Sequence, residues 1–296
     1  MPEIVIGTAN FGNDYGILNQ ARKGQYTLES SKAFEIIKYC TSVGIKKFDT
    51  ALTYGDSSNI LEKYLELENE IEIFHKITWT GGSHADYAEY QRAVKALMER
   101  PIGSAIRLVQ WHNWNYDGID LLKLASFQNQ CLEKYTFDFG VTTYGADCAI
   151  HAASSALFAK VQFEYNILNQ DVIRALIEFQ PSYASQFSIR SILLQGLLAD
   201  NNPLPSKLPQ KLIEAVETFK SICKDWSMSS LEVALRSKLN FKLDTDLVIG
   251  VTSPAEIDQI LFLLEKGALP NELFQDLMVL NQYDASVADP RLWNLG

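Results

Sequence analysis

Short apolar runs rich in β-branched residues alternate along this chain with longer stretches whose apolar positions recur every three or four residues. The short runs predict strands at 4–7, 46–49, 71–76, 106–111, 136–141, 160–164, 184–189 and 246–251. Helical spacing fills the gaps. The first helix opens near Leu28 and keeps Ala33, Ile36, Ile37 and Cys40 on one face; Ser57-Ser58-Asn59 opens the second. Others are expected at 84–98, 117–132, 145–158 and 171–180. A long seventh runs from 208 to 225 and continues through 229–238, and an eighth covers 254–266. Strictly alternating βα units predict a parallel sheet with right-handed crossovers. Eight such units suit a closed (β/α)8 TIM barrel, and the chemistry of that fold sits at the C-terminal rim of the strands.

No Gly-x-Gly-x-x-Gly follows the first strand, which argues against a Rossmann sheet. The strongest breaker cluster is Asn201-Asn202-Pro203-Leu204-Pro205, read as a long βα loop and not a linker. The expectation is therefore one barrel domain over 1–296, with an irregular tail from about 282. That tail either lies across the barrel mouth or packs outside.

Four side chains close or follow these strands. Asp49 ends strand two in Phe48-Asp49-Thr50-Ala51, and Tyr54 follows in Thr53-Tyr54-Gly55. Lys76 ends strand three, and His112 ends strand four in Gln110-Trp111-His112. A free phenol titrates near 10, too high to release a proton readily at neutral pH, and a nearby cation lowers that value. Lys76 is the expected cation, Asp49 holds its ammonium, and His112 directs a substrate carbonyl. Such a set suits reduction of a carbonyl or oxidation of an alcohol. By alternation His75 points away from Lys76 and out of this site.

Composition narrows the picture further. A formal charge of −10 argues against a general nucleic-acid surface. The four cysteines, Cys40, Cys131, Cys148 and Cys223, show no zinc or redox spacing and read as free thiols of a reducing compartment. No metal site is expected. Neither a signal peptide nor a run of roughly 20 apolar residues is visible, so a cytoplasmic protein without a membrane partner is expected.

With the set at 49, 54, 76 and 112, the segment Phe48-Asp49-Thr50-Ala51-Leu52-Thr53-Tyr54-Gly55 resembles the signature of the aldo-keto reductase superfamily, in its bacterial branch. Further matches follow in order: Gly7-Thr8-Ala9-Asn10-Phe11-Gly12, Gly140-Val141-Thr142-Thr143-Tyr144, Val161-Gln162-Phe163-Glu164-Tyr165-Asn166, Arg190-Ser191-Ile192-Leu193-Leu194-Gln195-Gly196, and Val248-Ile249-Gly250-Val251-Thr252-Ser253. The resemblance implies an NAD(P)-dependent oxidoreductase that reduces an aldehyde or ketone, with the proton from Tyr54. Two alternatives stay open: a sugar epimerase that retains its NAD(P), and a non-catalytic regulatory subunit on the same scaffold.

It also implies cofactor contacts at Gly7, Thr8 and Asp49, and at Gln162 to the nicotinamide amide. Thr142 and Thr143 replace the family's Ser-Asn pair, and a threonine hydroxyl cannot match both functions of an amide. Phe187 or Arg190 stands near where the family places an aromatic under the nicotinamide. Arg190 has further options in the pyrophosphate, a substrate anion or a loop anchor, and Ser191 follows it. Gly250, Thr252 and Ser253 fall at the cofactor-phosphate site. The arginine typical of NADP users is missing there, and Glu256 would repel a 2′-phosphate or accept from a ribose hydroxyl. On family grounds NADP is the first expectation and NAD the second. Tyr15, Trp79, Trp111 and Trp114 are the expected aromatic substrate walls, for a small carbonyl compound, with a sugar-derived one among the candidates.

Overall fold

The computed structural model describes residues 1–16, 27–68, 71–78, 86–180, 185–199, 204–205 and 207–293. Eight parallel strands, β1 (Ile4–Gly7), β2 (Lys47–Ala51), β3 (Glu72–Thr78), β4 (Ile106–His112), β5 (Asp138–Thr142), β6 (Lys160–Glu164), β7 (Gln186–Arg190) and β8 (Asp246–Ile249), close in sequence order, with β8 back on β1. The expected (β/α)8 barrel is therefore present. Helices α1 (Ser30–Ser42), α2 (Ser57–Leu65), α3 (Tyr87–Met98), α4 (Leu121–Leu132), α5 (Ala146–Ser154) and α6 (Asp171–Phe179) each follow a strand. After β7 come α7 (Gln210–Asp225) and α8 (Ser230–Ser237), and after β8 come α9 (Pro254–Glu265) and a short α10 (Asn271–Asp276).

One helix expectation fails. The stretch from 208 to 238 is two helices. Ser227 takes a left-handed backbone (φ 53), and Ser229 caps α8 by accepting from the Glu232 amide at 3.1 Å. A serine so placed competes with helix continuation and favours a new start.

Strand alternation sorts side chains between the barrel interior and the helix layer. Val5, Phe74 and Leu108, with Val248 against them, form an apolar plug inside. Lys160 bonds Asp246 in the same interior, with its ammonium 5.2 Å from the Phe74 ring centre. Outward residues of the strands, among them Ile6, Phe48, Ile73, Val109, Val141, Val161 and Ile189, meet the helices in the main core. A second apolar cluster joins α7, α8 and α10 to Ala288 and Trp293 near the end of the chain. The tail accordingly packs against the protein, in two 3-10 turns at Ala285–Ala288 and Pro290–Leu292. Among the described residues, no helix is long and apolar enough to cross a membrane.

Candidate active site

Asp49 sits in the barrel interior because its neighbours on β2, Phe48 and Thr50, face the helix layer. Its backbone is anchored from β1: the Thr8 amide and hydroxyl both donate to the Asp49 carbonyl, at 3.0 and 2.9 Å. The Thr8 hydroxyl also meets Ser57 Oγ at 2.6 Å, and Ser57 meets Thr50 Oγ1 at 2.9 Å. This buried chain of hydroxyls ties the rim end of β2 to the start of α2. Thr8, expected as a cofactor contact, thus acts first as a brace for Asp49.

The carboxylate of Asp49 pairs with the Lys76 ammonium, and both side chains are only 2% exposed. Asp49 Oδ2 accepts two further bonds, from Gln110 Nε2 at 3.1 Å and Gln162 Nε2 at 2.9 Å. Gln162 was expected from the family motif; Gln110 was not, although it stands two residues before His112 and must share its face.

After β2 the chain turns sharply back. The Tyr54 amide donates to Ala51 O and the Ser57 amide to Tyr54 O, both at 3.1 Å. Gly55 is left-handed (φ 54), and a Cβ there would come within 3.0 Å of Asn13 Cβ, so this turn requires glycine. The turn places the Tyr54 ring 5.4 Å from Lys76 Nζ. His112 stands edge-on to that ring, with centroids 6.0 Å apart and an interplanar angle of 88°. Tyr15 flanks it from the first loop at 6.4 Å. The four expected side chains therefore converge on one rim.

Their electrostatics differ from expectation at one point. Burial drives the Tyr54 phenol above its usual 10, and the Asp49 carboxylate adds to the rise; Arg190 opposes it. The Lys76 charge is largely committed to Asp49, so it does not deliver the expected lowering. Burial pushes the His112 imidazole down to about 4, with Lys76 and Arg190 acting the same way. His112 is therefore neutral near pH 7 and carries one N–H to donate. As alternation required, His75 faces the helix layer, between Ser58 Oγ and the Lys76 carbonyl at 3.1 Å each.

The far side of the rim is built by Arg190. Its guanidinium donates to the Thr143 carbonyl at 2.6 Å, lies 3.5 Å from Glu164 and stacks 4.0 Å over the Tyr144 ring. Arg291 of the tail covers the same ring at 3.2 Å. Thr142 and Thr143 are fully buried; Thr142 Oγ1 accepts from the Asn113 amide at 2.9 Å and so helps fasten β4 to β5. Ser191 begins a tight loop after β7 (φ 66), and its carbonyl accepts from the Leu194 amide at 2.9 Å.

Three aromatic expectations fall away. Trp111 is fully buried in the helix layer, stacked on Phe139 at 5.7 Å. Alternation explains it, since His112 faces inward and its neighbour cannot. Trp114 is buried against Phe158 and His151, so it lines the core and not a substrate wall. Phe187 also faces out, edge-on to Phe163 at 6.2 Å, because Ser188 takes the inward place on β7. It cannot stack under a nicotinamide. Trp79 lies outside the described residues.

At the β1–β8 edge, Gly250 leaves space, since a Cβ there would meet only the Gly7 carbonyl, at 3.7 Å, whereas one on Gly7 would touch Val248 Cγ1 at 3.4 Å. Beyond it, Ser253 caps α9 by accepting from the Glu256 amide at 3.3 Å. The Glu256 carboxylate reaches back, accepting from the Thr252 amide at 2.7 Å and its hydroxyl at 2.6 Å. The Thr252 donors expected for a phosphate are thus occupied by an internal carboxylate, as in a capping box shifted by one residue. Among the described residues, no cluster of three His, Cys, Asp or Glu side chains is placed to hold a metal.

The profile of the Aldo/keto reductase family matches residues 3–281. The chain belongs to that family. Membership supports an oxidoreductase of carbonyl groups, and aldo/keto reductases as a class use nicotinamide cofactors. Among solved structures, the chain resembles an aldo-keto reductase, AKR11C1 from Bacillus halodurans. Against its holo form the TM-score is 0.73 at 16% identity, covering 97% of this chain and 94% of that one. Against its apo form the TM-score is 0.69 at 18% identity, covering 90% and 91%. At such identities the likeness speaks to the fold of the aldo/keto reductase barrel alone. No sequence match was found among curated proteins.

Proposed function

We propose that this chain reduces an aldehyde or ketone to an alcohol, using Tyr54 as the proton donor and NADH in preference to NADPH. The observation that carries the reading is the convergence of Tyr54, His112 and the buried Asp49–Lys76 pair on one rim. Gln162 fits a nicotinamide: its Nε2 is given to Asp49, and its buried Oε1 finds no partner among the described residues. An acceptor left in that state suits the amino group of a carboxamide. The space beside Gly250 admits a close-lying ligand. When bound, the nicotinamide supplies the hydride that reaches the carbonyl carbon.

The protein's own contribution is orientation and the proton. The Tyr54 hydroxyl and the His112 N–H donate to the substrate oxygen and aim its carbon. As charge builds on that oxygen, Tyr54 releases its proton to it, and the alcohol forms. The phenolate left behind is stabilised by Arg190. The neutral phenol keeps its proton at rest, so the acid form is present for this direction, and it yields the proton once the oxygen, becoming an alkoxide, is the stronger base.

Preference for NADH follows from Glu256. A 2′-phosphate placed at the start of α9 would have to displace a carboxylate from the Thr252 donors or lie beside it. Like charges at that range are mutually unfavourable. Separate titrations with NADH and NADPH, read by tryptophan fluorescence, test both parts. Saturable quenching with tighter binding of NADH is expected. Tighter NADPH binding would sink the Glu256 reading. Binding of neither, with no nucleotide released on denaturation, would sink the reductase itself.

A further inference from the structure

We infer that Gln110 is a positioning residue for the Asp49–Lys76 pair; the inference rests on the reductase reading above. A carboxylate buried with a single cation still has lone pairs to satisfy, and a buried ion pair is stable only when they are met. Lys76 takes Oδ1. Gln110 on β4 and Gln162 on β6 both donate to Oδ2, at 3.1 and 2.9 Å. This clamp fixes which oxygen faces the ammonium, and with it the direction of the ammonium toward the Tyr54 ring.

The orientation of both amides is set by chemistry. Either Oε1 turned toward Asp49 would place an acceptor against a carboxylate, so the Nε2 atoms must face it. The consequence is that Gln110 Oε1 is buried with no partner among the described residues. An orphaned buried acceptor costs free energy, and an apolar side chain of similar length would avoid that cost. A methionine would remove that cost but also one of the two donors that satisfy the buried carboxylate. The neighbouring strand makes room for the longer polar chain: Gly140 on β5 has no side chain, and a Cβ there would lie 3.3 Å from Gln110 Cγ and 2.8 Å from the Lys160 carbonyl. Gln162 is distinct because its Oε1 is expected to meet the cofactor, whereas Gln110 serves the pair alone.

Gln110→Met removes the donor and keeps the length. The two effects on stability oppose each other, so the urea midpoint should stay close to wild type, and NADH should bind within twofold of wild type. With a carbonyl substrate, kcat should fall at least tenfold with KM little changed. The ¹³C-carboxyl shift of Asp49 at neutral pH, which needs no cofactor, should move on loss of this donor. An unchanged Asp49 carboxyl shift together with an unchanged kcat would overturn the clamp. So would a joint loss of stability and NADH binding, which marks a structural role. If the wild type neither binds a nicotinamide nor turns over a carbonyl, the reductase reading fails, and the Asp49 carboxyl shift still decides whether Gln110 holds Asp49.

Discussion

Two opposing fields act on the Tyr54 phenol. Burial and the Asp49 carboxylate raise its proton affinity, and Arg190 lowers it. The rise wins, so Tyr54 holds its proton throughout the neutral range. Carbonyl reduction needs that protonated form, and its rate should show no loss attributable to Tyr54 between pH 6 and 9. Alcohol oxidation needs the phenolate, and its rate should climb steadily toward alkaline pH. Initial rates in both directions across that range measure this, and a reduction rate that falls steeply above pH 7 would contradict it. Tyr54→Phe should lower turnover by roughly 10²–10⁴-fold while leaving the thermal midpoint within a few degrees, since the ring and its contacts remain. Lys76→Met has a different signature. It strands the Asp49 charge in the interior, and removing one partner of a buried pair costs about 3–5 kcal/mol. Loss of activity there would therefore come with loss of stability.

On the scale of an element, β3 carries both an active-site residue and a structural titrating group, one on each face. Lys76 points in; His75 points out and is fully buried between β3 and α2. The Lys76 carbonyl can only accept, so Nδ1 of His75 holds the proton and Nε2 accepts from Ser58. Burial lowers the imidazole from 6.5 to about 4, outweighing the backbone bond that raises it. The folded state therefore binds fewer protons than the unfolded chain between these values. The associated stability is complete above about pH 6.5 and is lost as pH falls toward 4, by about 3 kcal/mol if fully expressed. His112 titrates in the same direction. Urea midpoints of His75→Gln should thus decline less steeply than wild type over that interval, without becoming flat. Equal slopes would show that His75 does not hold this proton balance.

The same two-residue period explains what could be read from the sequence. The β1 and β6 strands have the expected bounds, and the others shift by a few residues because pairing in a closed barrel, not local composition, decides where a ladder ends. Asp49, Lys76 and His112 were legible because a charged or imidazole side chain closing an apolar strand has few places to go. Trp111 and Phe187 were misplaced because aromatic character near a rim was weighed above alternation. Applied from His112, alternation would have sent Trp111 outward and brought Gln110 in. Glu256 was legible as an acid near the cofactor edge, but its grip on Thr252 required the loop geometry.

Across the whole molecule, the last described turn returns to the rim that β5 and β7 build. Asp289 holds the Arg291 guanidinium through Nε at 2.9 Å and Nη2 at 2.5 Å, and presents it flat on Tyr144, with Arg190 also against that ring. Tyr144 in turn lies within electrostatic reach of Tyr54 and Tyr15. Two residues on, Trp293 is 8% exposed in the cluster with α7 and α10, its Nε1 donating to the Val287 carbonyl at 2.9 Å. The tail thus has an anchor and a hand: Trp293 fixes it, and Arg291 shapes the mouth. The two should separate on mutation. Trp293→Ala removes a large buried side chain and should cost about 3 kcal/mol, visible as a lower urea midpoint. Arg291→Ala gives up a cation–π contact of about 0.5–1 kcal/mol at a partly exposed site, so the midpoint should hardly move. Its effect belongs to the mouth: KM for the carbonyl should rise several-fold with kcat within twofold, since Tyr144 loses its cover while Tyr54 and His112 keep their places. A KM unchanged in Arg291→Ala would mean that the tail stabilises the barrel without shaping its site.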